Sequence, residues 1–235
     1  MAAESKSLIS HLGSDGLPPS AQPHNWARSL AVDLAGSFEI GLVFTLIMMA
    51  VWTPPGRVNA GVTLAAALST LWLTARGRYS AFELGLARPG SGALPMLVLG
   101  AVLVIVVFVL GSALNNLGPA HPVPWNRAWQ YAIWAMLQEF ILQSFFYVRL
   151  KSLLGGQRAV WAAALLFAIT HIPSPLLTLL SFGGGLVFCE LFRRYRNIFP
   201  LGLVHATLGL TIAARLPDSM LHHMRVGLGY LMYRP

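Results

Sequence analysis

From Leu97 to Leu110 the chain reads LVLGAVLVIVVFVL, fourteen residues without one hydrogen-bonding side chain. In water such a run must be buried on every side. In a bilayer it needs no cover, and about 20 mainly apolar residues cross the hydrocarbon layer as a helix. The run has company. Hydropathy and flanking charge mark spans at 31–52, 59–75, 92–113, 128–148, 159–173, 176–192 and 198–214. Only 10% of the 235 residues are charged, against about 25% in an ordinary soluble domain. So few charges cannot cover a globule of this size. The expected fold is all-α, a polytopic membrane helix bundle with about seven transmembrane helices. The second and fifth spans are short, which implies little tilt or a place inside the bundle. A barrel is disfavoured, because its segments of about ten residues alternate in polarity, and these runs are continuous. A soluble cytosolic enzyme, a disordered chain and a disulfide scaffold are excluded too. The one cysteine, Cys189, has no intrachain partner.

The net charge of +8 does not point to nucleic acid. The basic residues sit in short clusters between apolar runs, a pattern of membrane orientation. With the N-terminus inside, the inner segments hold Lys6 and Arg28; Arg76, Arg78 and Arg88; Arg149, Lys151 and Arg158; and Arg193, Arg194 and Arg196. The outer ones hold Arg57, Arg127, Arg215, Arg225 and Arg234. The excess places the N-terminus in the cytoplasm. Residues 1–30 are polar and carry Pro18, Pro19 and Pro23; they read as a disordered or interfacial tail without a cleaved signal peptide. Residues 31–215 form the expected bundle and 216–235 a short C-terminal tail. No phosphate-binding loop, dinucleotide fingerprint, C-x-x-C or H-E-x-x-H occurs.

Ionisable groups inside a membrane are costly, about 2.5–3.5 kcal/mol for Asp at a helix centre. They persist where they are paired or used. Glu139, in AMLQEFILQSFF, lies some 16 Å into its span at about 1.5 Å per residue. Gln143 follows it on the same face, and Gln138 is turned by about 100° from it. His171 and His205 lie on two later spans. A buried carboxylate with two imidazoles forms a hydrolytic set: the acid to hold and deprotonate water, a histidine to shuttle a proton or stabilise an oxyanion. Each histidine also has an ordinary reading as a helix-packing hydrogen bonder. Glu39, within the first span, invites the same suspicion as Glu139, with pairing to a neighbouring helix as its ordinary reading, and Glu190 is expected to pair with Arg193 and Arg194. Asp33 reads as solvated at the membrane edge. His222 and His223 read as solvated or interfacial, with a metal pair as the lesser reading. Gly183, Gly184 and Gly185 read as a close helix contact, Asn115 and Asn116 as a helix end, and Cys189 as a buried apolar group.

These residues resemble the CPBP family, the type II CAAX prenyl endopeptidases and bacteriocin-processing intramembrane proteases. That family carries EExxxR on one span, FxxxH on the next and HxxxN or HxxxD on a later one. Here the motifs read Gln138-Glu139-Phe140-Ile141-Leu142-Gln143, then Phe167-Ala168-Ile169-Thr170-His171, then His205-Ala206-Thr207-Leu208-Gly209. Glu83-Leu84-Gly85-Leu86 is similar to a family loop, so the resemblance runs over about residues 75–215. The family's first Glu corresponds to Gln138, its Arg to Gln143, and its Asn or Asp to Gly209. A neutral amide cannot take a proton from water.

The resemblance implies an integral protein of a bacterial cell membrane. Its activity would be that of an endopeptidase acting on a CAAX-like or C-terminally anchored membrane protein or a leader peptide. Glu139 would serve as base, His171 would assist the water, His205 would bind the oxyanion, and Gln138 and Gln143 would support them. No cofactor is expected. The alternatives are a catalytically altered relative acting as a membrane binding or chaperone protein, and a hydrolase with zinc at Glu139, His171 and His205. A transporter is disfavoured, since paired broken helices and internal symmetry are not evident.

Overall fold

The structure is a computed structural model that describes residues 26–114 and 123–233, with side chains from residue 33 onward. Asn115, Asn116 and most of the expected tail at 1–30 lie outside the described residues. Gly36–Pro235 is one compact unit; the described part of the other unit is the first turns of α1.

The order is α1 (Trp26–Trp52), α2 (Arg57–Arg76), α3 (Ala93–Ala113) and α4 (Trp125–Glu139). The last continues without a break through a π-helical stretch, Phe140–Tyr147, into α5 (Val148–Leu154). Then come α6 (Gly156–Ile169), α7 (Pro175–Tyr195) and α8 (Phe199–Arg215). Two short helices end the chain, α9 (Asp218–Leu221) and α10 (Gly227–Leu231), with a 3₁₀ turn at His222–Met224 between them. No strand occurs among the described residues. The all-α expectation therefore holds, and each expected span falls on a helix. The bounds move: α1 begins at Trp26 rather than 31, and α6 stops at Ile169 rather than 173. Asp33–Trp52, α2, α3 and α7 are each long and apolar enough to cross a membrane, while α6 and α8 are shorter apolar helices.

The breaks follow from backbone chemistry. Pro54-Pro55-Gly56 separates α1 from α2. Gly155, at φ 80°, turns the chain between α5 and α6 in a conformation that favours glycine. Pro175 and Pro200 sit in the first turns of α7 and α8, where a missing N–H costs nothing. The outer faces are greasy. On α3, Leu94, Val98, Ile105 and Val109 are all exposed; such a continuous apolar face suits lipid.

The π-helical stretch is the centre of the bundle. Every residue from Leu142 to Leu150 is buried, and Phe145, Tyr147, Phe192 and Leu201 share one core. Small residues set helix spacing around it. A Cβ on Gly100 would meet Val204 at 2.5 Å, and one on Gly185 would meet Ala164 at 3.1 Å, so α3 and α8, and α6 and α7, pack backbone-close.

One expected inner-loop charge is not in a loop. Arg149 is 1% exposed, donates from Nε to Glu39 at 2.7 Å and from its guanidinium to the Leu73 carbonyl at 2.9 Å. Its guanidinium also lies 4.0 Å from the centre of the Phe145 ring. Glu39 is thus paired with a neighbouring helix, which is its ordinary reading. A buried cation needs such a set of acceptors, and α5 carries Arg149 into the core because it continues α4 without a turn.

The loop between α2 and α3 is fastened at several points. The Ser80 N–H and hydroxyl donate to Glu83, each at 2.8 Å, and hold its carboxyl below the usual carboxylate range. The Ser144 hydroxyl donates to the Leu84 carbonyl at 2.7 Å, and the Ile198 N–H donates to the Gly85 carbonyl at 3.2 Å. The Glu83-Leu84-Gly85-Leu86 stretch therefore ties the π-helical stretch to the turn before α8.

Candidate active site

Tyr131, Trp134, Gln138 and Ile141 recur at intervals of three and four along α4 and its continuation, so they form one stripe. That stripe is one wall of a cavity of about 250 Å³. Opposite it are His171, in the turn after α6, Gly184 on α7, and His205 and Gly209 on α8. The lining is mostly apolar. Its polar side chains include Tyr131, Gln138, His171 and His205.

Glu139 is adjacent to Gln138 in sequence but sits one layer behind the wall. It is completely buried. Its Oε1 lies 2.9 Å from His205 Nδ1, and its Oε2 accepts from Gln143 Nε2 at 3.2 Å. The expectation that Glu139 itself holds a water in the cavity therefore meets a different geometry: its carboxylate is occupied by the back of His205. The reason is rotation. One residue along a helix turns the side chain by about 100°, so when Gln138 faces the cavity, Glu139 faces α8.

His171 is fixed in the same manner by a different acceptor. Its Nδ1 donates to the Phe167 carbonyl at 2.8 Å, and the Thr170 hydroxyl donates to the same carbonyl at 2.7 Å. A carbonyl can only accept, which assigns the Nδ1 proton of His171 and leaves its Nε2 unprotonated in the neutral ring. Phe167 touches both rings in edge-type contacts, with centroids 4.8 Å from His171 and 6.0 Å from His205. The first residue of FxxxH thus packs against both imidazoles. The structure brings together every expected site residue: Gln138, His171 and His205 on the cavity, Glu139 and Gln143 behind it.

Two contributors were not legible from motif spacing. Tyr131 lies seven residues before Gln138, two turns along the same face, and that spacing was the available signal. The second is the stretch after α8, read as a short tail. Met224 and Val226 line the cavity, and Leu221 packs against Leu177 and Ile212. The Gly227 N–H donates to the Ile172 carbonyl at 2.8 Å. Gly227 has φ 54°, and a Cβ there would run into the Val51 carbonyl; only glycine lets the chain pass so close.

The other singled-out residues lie elsewhere. Glu190 is paired with Arg193 at 2.7 Å and Arg194 at 2.6 Å. The His222 ring lies 4.5 Å from the Tyr230 ring, and His223 Nδ1 is 3.1 Å from Asp218. Cys189 is buried. Of the three glycines, Gly185 makes the close helix contact and Gly184 borders the cavity. Among the described residues, no group of three or more His, Cys, Asp and Glu side chains is arranged to hold a metal ion.

Residues 120–211 match the family model of the type II CAAX prenyl endopeptidase Rce1-like proteins. The matched segment contains Gln138, Glu139, Gln143, Phe167, His171, His205 and Gly209, every position of the three motifs. It agrees with the CPBP resemblance, and at family level it supports a CAAX-type intramembrane protease. Together with the apolar helices, it supports an integral membrane protein. No curated protein matches the chain.

Proposed function

We propose that the protein is an intramembrane endopeptidase that hydrolyses a peptide bond of a CAAX-like or C-terminally anchored membrane protein at the cavity shared by His171 and His205. The supporting observation is the 2.9 Å contact between fully buried Glu139 and the back of His205. A carboxylate alone in this setting is costly. With His205 as imidazolium the pair carries no net charge, and His205 Nε2–H becomes a donor. His171, bound at Nδ1 to a carbonyl, keeps a lone pair on Nε2. One acceptor and one donor then face a common space, as general base and oxyanion binder require.

The reaction runs in two steps. His171 Nε2 takes a proton from water as its oxygen attacks the carbonyl carbon, and the carbonyl electron pair moves onto oxygen, held by His205 Nε2–H. The C–N bond then breaks, and the departing amine takes the proton from His171. Glu139 acts through His205 as a positioning and charge-balancing group. This reading requires no metal or cofactor, and the bilayer supplies the substrate's setting.

A second reading has its own observation. The amide of Gln138 stands on the cavity wall where the family has its first Glu, so the cavity could bind a membrane peptide without cutting it. One experiment separates the two. Purified protein in detergent is given a fluorogenic peptide ending in a prenylated cysteine and three further residues. Cleavage by the wild type and a loss of about 10²–10⁴-fold in His171→Phe, the usual range for a general base, support the enzyme. Equal rates in both proteins sink it. Binding without turnover in the wild type, with turnover appearing in Gln138→Glu, establishes the second reading.

A further inference from the structure

Gly209 stands where the family resemblance calls for Asn or Asp, and it lacks a side chain to offer the reacting carbonyl. The space is already taken. A Cβ built on Gly209 falls onto the Tyr131 hydroxyl and lies 2.7 Å from Tyr131 Cζ. Tyr131 reaches this point from α4, across the α4–α8 contact, and it borders the same cavity as His171 and His205. Gly209 is one turn beyond His205 on α8, so the two positions share a face. The phenol therefore lies about one helical turn along α8 from His205.

The Tyr131 hydroxyl has no protein hydrogen-bond partner among the described residues. Tyrosine hydroxyls in apolar surroundings normally find one, since an unmade bond wastes a desolvated donor. In the wall of a cavity that also holds the proposed oxyanion binder, a hydroxyl without a partner can donate to the substrate carbonyl.

We propose that Tyr131 is the second oxyanion donor of the cavity, supplying from α4 the hydrogen bond that position 209 on α8 cannot make. The proposal rests on the endopeptidase reading above. The scissile carbonyl oxygen sits between the Tyr131 O–H and His205 Nε2–H. As the oxygen gains charge both bonds shorten, and neither proton leaves its donor. The tyrosine thus touches the reacting atoms and is a catalytic residue in the strict sense. Its ring also fills the gap over Gly209, so packing and chemistry must be separated by experiment.

Tyr131→Phe keeps the ring and removes only the hydroxyl. With the prenylated fluorogenic peptide, kcat is expected to fall by about 10²–10³-fold, the usual loss for one oxyanion donor, with KM and thermal unfolding near wild type. A purely structural tyrosine would instead leave kcat unchanged. The double variant Tyr131→Ala with Gly209→Asn clears the ring and restores a donor from α8. It should recover at least tenfold over Tyr131→Ala alone. A second readout is the carbonyl stretch of a peptide ketone of the same sequence bound in the cavity. Its frequency should rise in Tyr131→Phe. Wild-type rates in Tyr131→Phe overturn this proposal and leave the endopeptidase standing. Absent cleavage by the wild type overturns the endopeptidase reading and with it the catalytic role. An unchanged ketone frequency then also denies Tyr131 any contact with a bound carbonyl.

Discussion

Glu139→Gln separates the chemistry of the buried carboxylate from its part in packing. In the folded protein Oε1 faces His205 Nδ1 at 2.9 Å and Oε2 faces Gln143 Nε2 at 3.2 Å. A glutamine in the same rotamer keeps its oxygen on the His205 Nδ1–H. Its new amide then opposes the Gln143 amide, donor against donor. The conflict has a local remedy, because Gln143 Oε1 is buried without a partner. Turning the Gln143 side-chain amide by 180° presents that oxygen to the new donor and satisfies both groups. The fold should therefore lose no more than about 1 kcal/mol, the size of one ordinary hydrogen bond. Activity should fall much further. The neutral amide no longer balances an imidazolium at His205, so the Nε2–H needed by the oxyanion is lost. Removing the carboxylate behind a catalytic histidine costs about 10⁴-fold in the serine-protease triad. An expectation of 10²–10⁴-fold here corresponds to roughly 3–5 kcal/mol of transition-state stabilisation. Glu139→Ala is the contrast, since it strands the His205 and Gln143 donors and costs about 3–5 kcal/mol of stability, as breaking a buried pair does. The assays are peptide cleavage in detergent and thermal unfolding of the same samples. Full cleavage by a folded Glu139→Gln protein would refute the role given to the Glu139–His205 pair.

Arg149→Met leaves Glu39 without its guanidinium and should destabilise by up to about 3 kcal/mol, less than a fully buried pair because Glu39 keeps some exposure. The double change Glu39→Met with Arg149→Met should recover most of that loss, measured as a thermal shift; no recovery would mean that Arg149 matters for its carbonyl and ring contacts alone. Gly209→Ala drives a methyl into the Tyr131 hydroxyl and should cost about 1–3 kcal/mol, at the low end if the ring swings into the cavity; an unchanged melting temperature would contradict the close approach of α4 and α8. Prolonged dialysis against a strong chelator should leave cleavage unchanged, whereas a loss restored by stoichiometric zinc would establish the metal-dependent alternative.

Fold class was readable because hydrocarbon is an unforgiving solvent: only helices and closed barrels satisfy their backbone groups there, and continuous apolar runs, which a barrel lacks, are visible one residue at a time. The site was readable only in part, and the failures share a cause. Gln138 and Glu139 are neighbours in sequence, and spacing alone could not say which of them faces the cavity. That depends on the rotation of α4 about its axis, set by contacts such as Gly202 against Met136 and Gly209 against Tyr131, long-range terms absent from any single helix. The π-helical stretch hides the answer further. After Glu139 the hydrogen bonds pass from i+4 to i+5, so a face followed at 3.6 residues per turn drifts out of register within the motif itself. Arg149 misled for a related reason. In a list of charges it belongs with Lys151 and Arg158; in space it is fastened to Glu39, and only the tertiary fold supplies that partner. The absent side chain at Gly209 reads in sequence as a lost function. The structure shows a tyrosine from another helix standing in the vacated volume. A motif records which residues a site uses along the chain, whereas chemistry depends on which atoms reach one point in space. A donor at that point can come from either helix, so the substitution at 209 does not by itself make the site inert.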